Sequence, residues 1–198
     1  PGFGGSCFQK DILNLVYLCR HFGLPEVADY WESVVALNTW QQHRIAKLVV
    51  EKLFGTVTGK RLAVLGFAFK ADTNDTREAP AIRICRDLLE EGAQLAIHDP
   101  KVVAQQMARD LQQDAAPQLD ALSGTGNWVE AGSVEDAVRG ADAVLVLTEW
   151  QHYRHLNWMA LAGRMRKPAW VFDARAVTDP EQVRAAGLTL WRVGDGEG

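Results

Sequence analysis

From residue 60 onward, short apolar segments alternate with segments of helical periodicity, and this alternation constrains the fold most strongly. The apolar, β-branched run at 143–147 is typical of a strand that is buried on both faces. Strands are predicted at 62–65, 95–97, 127–130, 143–147, 169–172 and 188–193. Helices are predicted at 81–91, 102–111, 134–139, 153–165 and 180–186. Right-handed crossovers then require an α/β fold, a Rossmann-like doubly wound parallel sheet of about six strands.

The N-terminal part has a different pattern, because it contains two predicted helices and no strand. The first helix covers 7–22, and the second covers 26–54 without an internal glycine or proline. At 1.5 Å per residue the second helix is about 43 Å long. Two domains are therefore predicted, 1–56 and 57–198. The long helix is either a spacer between them or, through its wide apolar stripe, the surface of a homodimer or higher homo-oligomer.

Composition excludes several classes of protein. The chain has 198 residues, 47% of them hydrophobic, which excludes extensive disorder. Its apolar runs are too short for a transmembrane helix, so no membrane partner is predicted. The net charge of −4, without a basic stripe, predicts no nucleic-acid partner. Three widely spaced cysteines exclude a disulfide framework and a zinc site, and they favour a reducing, cytoplasmic location.

The segment PGFGGSCFQKD, at residues 1–11, has the residue types of a catalytic site. Its glycines allow a backbone to approach a ligand closely. Ser6 is suited to cap the following helix, and a cysteine at a helix N-terminus has a lowered pKa. Asp11 lies one turn beyond Cys7, so a nucleophile and a carboxylate that activates water share one face. The alternative is a structural helix cap, with Lys10 and Asp11 facing solvent.

A second candidate site follows the first predicted strand, where open α/β sheets bind phosphates. The segment GFAFK at 66–70 lacks the GxGxxG fingerprint of a dinucleotide site. Lys70 and Arg77 are the cationic groups that could bind phosphate there instead. In the alternative interpretation Asp75 and Glu78 form a capping box, and the two basic residues are surface charges.

Other polar and sulfur-containing residues are assigned to packing or to the surface. Asp99 has the position of a ribose-binding acid, but without an upstream glycine fingerprint it is predicted to cap the end of a strand. Cys19 and Cys85 lie within predicted helices, which favours packing roles. Trp150 and the five histidines show no dyad spacing, so core or surface roles are predicted for them.

Two segments carry a resemblance to a known family that extends over essentially the whole chain. PGFGGSCFQKD resembles the catalytic-cysteine segment of the UDP-glucose/GDP-mannose dehydrogenase family, and GFAFKADTNDTRE resembles its C-terminal domain. The serine before the cysteine and the FQKD after it favour the members that oxidise UDP-glucose. Members that oxidise GDP-mannose usually have another residue before KD. Members that act on N-acetylated UDP-sugars usually have a histidine before the cysteine.

The resemblance implies roles for individual residues. Cys7 and Asp11 are implied to be catalytic, and Arg77 is implied to reach the phosphates of the cofactor. The residues implied to bind the UDP-sugar are Phe3, Gly4, Phe8, Phe69, Lys70 and Arg175. The family often has glycine where Ala174 stands, which is a mild departure.

The resemblance also implies a reaction, the four-electron oxidation of UDP-glucose to UDP-glucuronate with two NAD as hydride acceptors. Cys7 would hold the aldehyde as a thiohemiacetal and then carry a thioester that water cleaves. Family members bind NAD through an upstream domain with a glycine-rich turn, and this sequence contains no such turn. We therefore expect the chain to be the central and C-terminal portion of a longer enzyme, inactive by itself.

Three alternatives remain open at the level of sequence. The chain could be a nucleotide-sugar-binding and dimerisation module without chemistry, or a relative that oxidises GDP-mannose. It could also be a thiol hydrolase that uses Cys7, which needs a histidine partner brought close by folding.

Overall fold

A parallel sheet of six strands organises the structure, a computed structural model that describes residues 1–120 and 124–196. Parts of the predicted loop at 112–126 and of the predicted frayed tail at 194–198, namely residues 121–123 and 197–198, lie outside the described residues. The strands are β1 (Arg61–Leu65), β2 (Gln94–His98), β3 (Asn127–Glu130), β4 (Ala143–Val146), β5 (Trp170–Asp173) and β6 (Thr189–Arg192). Their order is β3-β2-β1-β4-β5-β6. The predicted fold class is confirmed.

Helices cover both faces of the sheet and precede it in the chain. They are α1 (Phe8–His21), α2 (Pro25–Lys52), α3 (Pro80–Glu90), α4 (Ala104–Leu111), α5 (Val134–Val138), α6 (Trp158–Ala162) and α7 (Pro180–Ala185). Strands β1 and β4 lie at the centre of the sheet and are buried on both faces, which explains why their sequences are continuously apolar. The strand order reverses between these two strands. Their carboxyl ends therefore form the crevice where open α/β sheets hold ligands.

The predicted helix at 153–165 is wrong. A 3₁₀ helix at Gln151–His155 is followed by extended backbone at Leu156, and α6 then begins after Asn157. The Asn157 side chain accepts the Ala160 N–H at 3.1 Å and so caps a new helix. The continuous apolar periodicity of this stretch therefore hides two short elements.

Helix α2 joins two hydrophobic cores. Near its start, Ala28 packs with Ile12, Val16 and Cys19 of α1 in a small core. Farther along, Ile45, Ala46, Val49 and Leu53 belong to the main core around the sheet. The predicted division of the chain at residues 56 and 57 stays a prediction, since this helix contributes to both cores. In the part of the chain that the structure describes, every helix is too short or too polar to span a membrane.

Replacing Gly66, which follows β1, is expected to destabilise the fold strongly. Its φ is +95°, and a Cβ would lie 2.6 Å from Thr148 Oγ1 and 2.7 Å from Thr148 N. Backbone strain and overpacking together predict that Gly66→Ala lowers the free energy of unfolding by about 2–5 kcal/mol. Chemical denaturation measures this change.

Gly132→Ala is the matched control, because a Cβ at Gly132 would meet nothing within 4 Å. Its effect should stay within about 0.5 kcal/mol. Equal effects of the two substitutions would contradict the steric argument.

Candidate active site

Residues 2–7 form a loop, which we call the cysteine loop, that lies between α2 and the segment following β1. On one side, Phe3 N donates to Asn38 Oδ1 at 2.8 Å, and Phe3 O accepts from Asn38 Nδ2 at 3.0 Å. On the other side, Gly5 N donates to the carbonyl of Arg77 at 2.8 Å. The cysteine loop therefore bridges the helical part of the chain and the sheet.

Close packing against protein explains two glycines of the cysteine loop. A Cβ at Gly4 would lie 2.5 Å from the carbonyl oxygen of Glu78. At Gly5, where φ is +86°, a Cβ would lie 3.0 Å from the ring of Phe69. The sequence suggested that these glycines admit a ligand. In the structure they admit the polypeptide itself, and they bring Phe69 against the cysteine loop.

Cys7 is exposed and occupies the N-cap position of α1. The prediction that Ser6 caps this helix is wrong, because the helix begins at Phe8 and no side chain accepts a hydrogen bond there. The Cys7 carbonyl accepts the Asp11 N–H at 2.9 Å, so the thiol and the exposed carboxyl lie one turn apart. Among the described residues, the hydrogen-bond partner of Cys7 Sγ is the Ser6 hydroxyl at 3.7 Å. The thiol thus faces solvent at the positive end of a 14-residue helix.

The turn after β1 is closed by Asp99, from the end of β2. Asp99 Oδ2 accepts the backbone N–H groups of Phe67 at 2.7 Å and Ala68 at 3.0 Å, and the indole N–H of Trp150 at 3.1 Å. Its other oxygen accepts the two N–H groups of residues 101–102. The prediction of a strand-end cap is confirmed. These bonds occupy the turn N–H groups that a dinucleotide phosphate would need.

Arg175, just beyond β5, connects three segments at the carboxyl edge of the sheet. Its Nε donates to the Leu147 carbonyl at 2.9 Å, and its terminal nitrogen donates to the Phe69 carbonyl at 3.0 Å. Glu149 Oε2 lies 3.3 Å from the same Nε. Burial lowers the pKa of Arg175, and Glu149 opposes that shift. These contacts hold the guanidinium at the crevice, and its second terminal nitrogen takes no part in them.

The fully buried carboxylate of Asp173 organises the loop that carries Arg175. Asp173 Oδ1 accepts Arg175 N at 3.0 Å. Asp173 Oδ2 accepts Val177 N, Thr178 N and the Thr178 hydroxyl at 2.7–2.8 Å, and Arg192 Nε lies 3.9 Å away. These donors pair both oxygens of a side chain that has no access to water. The direction in which Arg175 leaves β5 is therefore set by Asp173.

Lys70 and Arg77 are both exposed, but their surroundings differ. Lys70 Nζ lies 5.4 Å from the centroid of the Phe69 ring. Arg77 binds the Asp75 carboxylate through Nε at 3.0 and 3.1 Å and through a terminal nitrogen at 2.6 Å. The predicted capping box is wrong, because α3 begins only at Pro80 and Asp75 accepts from Arg77 instead. The hydrogen bonds that Arg77 donates to Asp75 raise the pKa of Arg77, and the nearby Cys7 acts in the same direction.

Contacts link the predicted site residues into one continuous region. The rings of Phe3 and Phe8 meet edge to face with centroids 4.7 Å apart. The cysteine loop contacts Phe69, and Phe69 in turn contacts Lys70 and Arg175. Two clefts of about 650 and 600 Å³ lie elsewhere, beside α2 and α3. Of the predicted site residues, Arg77 lines the second of these clefts.

Three residues of this region were missed by the sequence analysis. Glu149 and Asp173 hold Arg175, and the carboxyl edge of a parallel sheet is where such residues are expected. Asn38 holds the cysteine loop. A signal for it was present, because Asn38 and Gln42 continue the buried stripe that includes Ile45 of α2.

Comparisons with known proteins give one consistent result. Two models of the UDP-glucose/GDP-mannose dehydrogenase family match, the central domain at residues 1–40 and the UDP-binding domain at residues 63–180. UDP-glucose 6-dehydrogenase 2 of Oryza sativa subsp. japonica is 47% identical over 200 residues, which are 98% of this chain and 42% of that protein. UDP-glucose 6-dehydrogenase 4 of Arabidopsis thaliana is 45% identical over 202 residues, with the same coverage.

A solved UDP-glucose dehydrogenase from the hyperthermophilic archaeon Pyrobaculum islandicum has the same fold. It superposes with a TM-score of 0.72 at 27% identity and covers 96% of this chain and 38% of its own. The chain therefore spans about two-fifths of the length of the relatives that it matches.

Arg77→Ala is expected to raise the pKa of Asp75 toward its usual range. Hydrogen bonds from the Arg77 side chain hold that pKa below the usual value. The contribution of the pair to stability is therefore present at neutral pH and is lost as the pH falls through the lowered pKa. NMR titration of the side-chain carboxyl measures the shift.

Arg20→Ala is the control, because it removes an ion pair between α1 and α2 at Glu32 and leaves Asp75 untouched. An Asp75 pKa that does not move in Arg77→Ala would show that the bidentate pair is absent in solution.

Proposed function

Because the chain belongs to the UDP-glucose/GDP-mannose dehydrogenase family, we propose that it supplies the cysteine nucleophile and the UDP-sugar site of a UDP-glucose 6-dehydrogenase. The observation that carries this proposal is the contact of the cysteine loop with Phe69, whose carbonyl also accepts from Arg175. The loop that carries Cys7, an aromatic ring and a cationic group thus meet at the carboxyl edge of the sheet. This combination suits an anionic ligand with an oxidisable sugar.

The proposed substrate site uses charge and aromatic surface together. Lys70 and Arg175 provide positive charge for the diphosphate, and charge-assisted hydrogen bonds to phosphate are strong. Phe69 and the edge-to-face pair of Phe3 and Phe8 provide apolar surface for base and sugar. Gly4 brings the loop backbone close to the same region. We propose UDP-glucose as the substrate because the residues around Cys7 favour it.

Cys7 is proposed to carry the oxidised carbon through the reaction. A first hydride and a proton leave the C6 alcohol of the sugar and give the aldehyde. The Cys7 thiolate adds to the aldehyde carbon and, with a proton on the oxygen, gives a thiohemiacetal. Loss of a second hydride and of that proton converts this adduct into a thioester. Water then attacks the thioester, releases UDP-glucuronate and returns the proton to sulfur. Asp11 lies one turn from Cys7 at the surface and is proposed to activate that water.

NAD is the proposed hydride acceptor, and two molecules would accept the four electrons. In the described part of the chain, the turn after β1 is not available to a dinucleotide phosphate, since Asp99 occupies the N–H groups of Phe67 and Ala68. Arg77 offers one cationic group, and it is paired with Asp75. We therefore propose that NAD is held by another part of a longer protein, and that these 198 residues alone do not turn over.

Two alternatives of different class are weaker. A thiol hydrolase needs a histidine beside Cys7, and among the described residues the thiol bonds to Ser6 instead. A GDP-mannose dehydrogenase would share the fold. The two enzymes are therefore distinguished by which base, uracil or guanine, the nucleotide site prefers. The nucleotide-sugar-binding module without chemistry describes what we propose for this chain in isolation.

We also propose that two copies associate through α1 and the first half of α2. Large apolar side chains there are exposed, including Tyr17 at 65%, Phe22 at 72%, Tyr30 at 65% and Leu37 at 63%. Apolar exposure of this extent on adjacent helices is typical of an interface. The cytoplasmic location stays a prediction based on cysteine usage.

Calorimetric titration is expected to show that the chain binds UDP in preference to GDP. Lys70→Ala and Arg175→Ala should each weaken UDP binding about tenfold, because each removes a charged partner of the diphosphate. Lys167→Ala is the matched control, since Lys167 precedes β5 and lies at the opposite edge of the sheet.

A preference for GDP would move the assignment to the mannose enzyme, and the absence of binding would contradict the proposed UDP site. The same protein, given UDP-glucose and NAD, should form no NADH. Formation at the rate of a complete enzyme would refute the proposal that this chain is inactive alone.

Sedimentation is expected to show a species of twice the chain mass of 21.9 kDa. Introducing charge on the exposed stripe, with Tyr30→Lys and Leu37→Lys together, should give a monomer because the apolar contact is lost. Met159→Lys, on α6 at a residue that is 65% exposed, is the control and should not change the mass. A wild-type monomer at high concentration would contradict the dimer.

A further inference from the structure

Helix α2 contains two buried polar side chains that its packing does not require. Asn38 and Gln42 are each 7% exposed, and they lie one helical turn apart on the face that continues to Ile45. A buried amide destabilises a fold unless its donors and acceptors are paired. An apolar pair at these positions would pack without that requirement. The identity of their partners is therefore informative.

Both amides pair with the main chain of Phe3. Asn38 matches the two backbone groups of this residue, accepting from its N–H at 2.8 Å and donating to its carbonyl at 3.0 Å. Gln42 Nε2 donates to the same carbonyl at 3.4 Å. Asn38 therefore acts as a strand-like partner for one residue of the cysteine loop. An amide is the side-chain group that offers both a donor and an acceptor in this geometry.

The preceding residue is adapted to this contact. A Cβ at Gly2, where φ is +105°, would lie 2.5 Å from Asn38 Oδ1. Glycine is therefore required for the amide to reach the backbone. The far side of Gln42 is also occupied, because Arg83 Nε of α3 donates to Gln42 Oε1 at 3.0 Å. The contact extends from the cysteine loop through α2 to α3.

The cysteine loop has only a short span between its two anchors. Asn38 holds Phe3, and the Arg77 carbonyl holds Gly5. Cys7 follows two residues later, and within the described residues its Sγ has one weak hydrogen bond, to the Ser6 hydroxyl. The position of the thiol relative to Phe69 and Arg175 is therefore set by these backbone anchors rather than by bonds to sulfur.

We propose that Asn38 is a positioning residue, which places Cys7 over the sugar site by holding the backbone of Phe3. This inference rests on the proposed function, since it concerns where the sugar carbon meets the thiol. Asn38 does not touch the reacting atoms. Its effect passes through the cysteine loop.

The first test measures hydrogen exchange of the cysteine-loop amides in the chain as it stands. Asn38→Leu keeps the volume and removes both hydrogen bonds. Asn38→Asp keeps an acceptor for Phe3 N and removes the donor to Phe3 O. Exchange of residues 2–7 should accelerate about tenfold or more in Asn38→Leu and less in Asn38→Asp. A role in packing alone predicts the opposite order, with leucine the milder change.

The second test measures protection of Cys7 by UDP-glucose. Cys7 is exposed whereas Cys19 and Cys85 are buried, so iodoacetamide labels Cys7 first, as mass spectrometry of peptides can verify. Saturating UDP-glucose should slow the labelling of the wild-type chain. In Asn38→Leu this protection should fall about tenfold, while the affinity for UDP alone stays unchanged. Gln105→Leu, at an exposed position of α4, is the matched control.

The outcomes separate the two claims. Unchanged exchange in a folded Asn38→Leu would overturn the positioning role, and so would full protection of Cys7 in that variant. Absence of protection in the wild-type chain would count against the proposed function, and the exchange rates would still decide the anchoring by Asn38. If Asn38→Leu does not fold, Asn38→Asp provides the same comparison with the wild-type chain.

Discussion

The carboxylate of Asp99 closes the turn after β1, and the arrangement of the candidate site depends on this one interaction. In a doubly wound sheet the N–H groups of that turn are ready to bind an anion, and a helix usually begins there. Here a protein carboxylate from β2 is the anion. The chain therefore leaves the sheet edge as the irregular segment 66–79 before α3 begins. That segment carries Phe69 to the cysteine loop, where it forms part of the UDP-sugar site that we propose.

The charged side chains of Asp173 and Arg175 are held in position mainly by hydrogen bonds to the backbone and only secondarily by ion pairs. Asp173 is fully buried and is surrounded by N–H and O–H donors, which hold the strand end and orient Arg175. Arg175 donates hydrogen bonds to two backbone carbonyls, and these bonds hold its guanidinium in place before a ligand binds. Such preorganisation lowers the entropy that binding must remove. Lys70 is exposed and, within the part of the chain that the structure describes, is not held by such bonds, so its side chain can adjust to a ligand more readily than that of Arg175.

The fold could be predicted from sequence because each central strand is continuously apolar and each crossover has one allowed hand. The position of Cys7 at a helix N-terminus followed from local pattern as well. The pairing of Arg77 with Asp75 could not be predicted in this way. The sequence suggested Asp75 as part of a helix cap, and a local contact with Arg77 competes with that cap. The buried stripe of α2 indicates that Asn38 is buried, but its partner could not be predicted, because the partner is a backbone 35 residues away, which has no sequence signature. Helical periodicity also concealed the break at Asn157.

Helix α2 has a mechanical consequence beyond its packing. It is a rod of 28 residues whose far end is fixed in the main core and whose near end carries the small core with α1. About 30 Å separates Ile45 from Pro25 along the axis, so a tilt of about 5° at Ile45 would displace Pro25 by about 2.6 Å. Asn38 lies closer to the main core and would move about 0.9 Å. The residues that hold the cysteine loop are thus displaced about a third as far as the start of the helix by any such tilt.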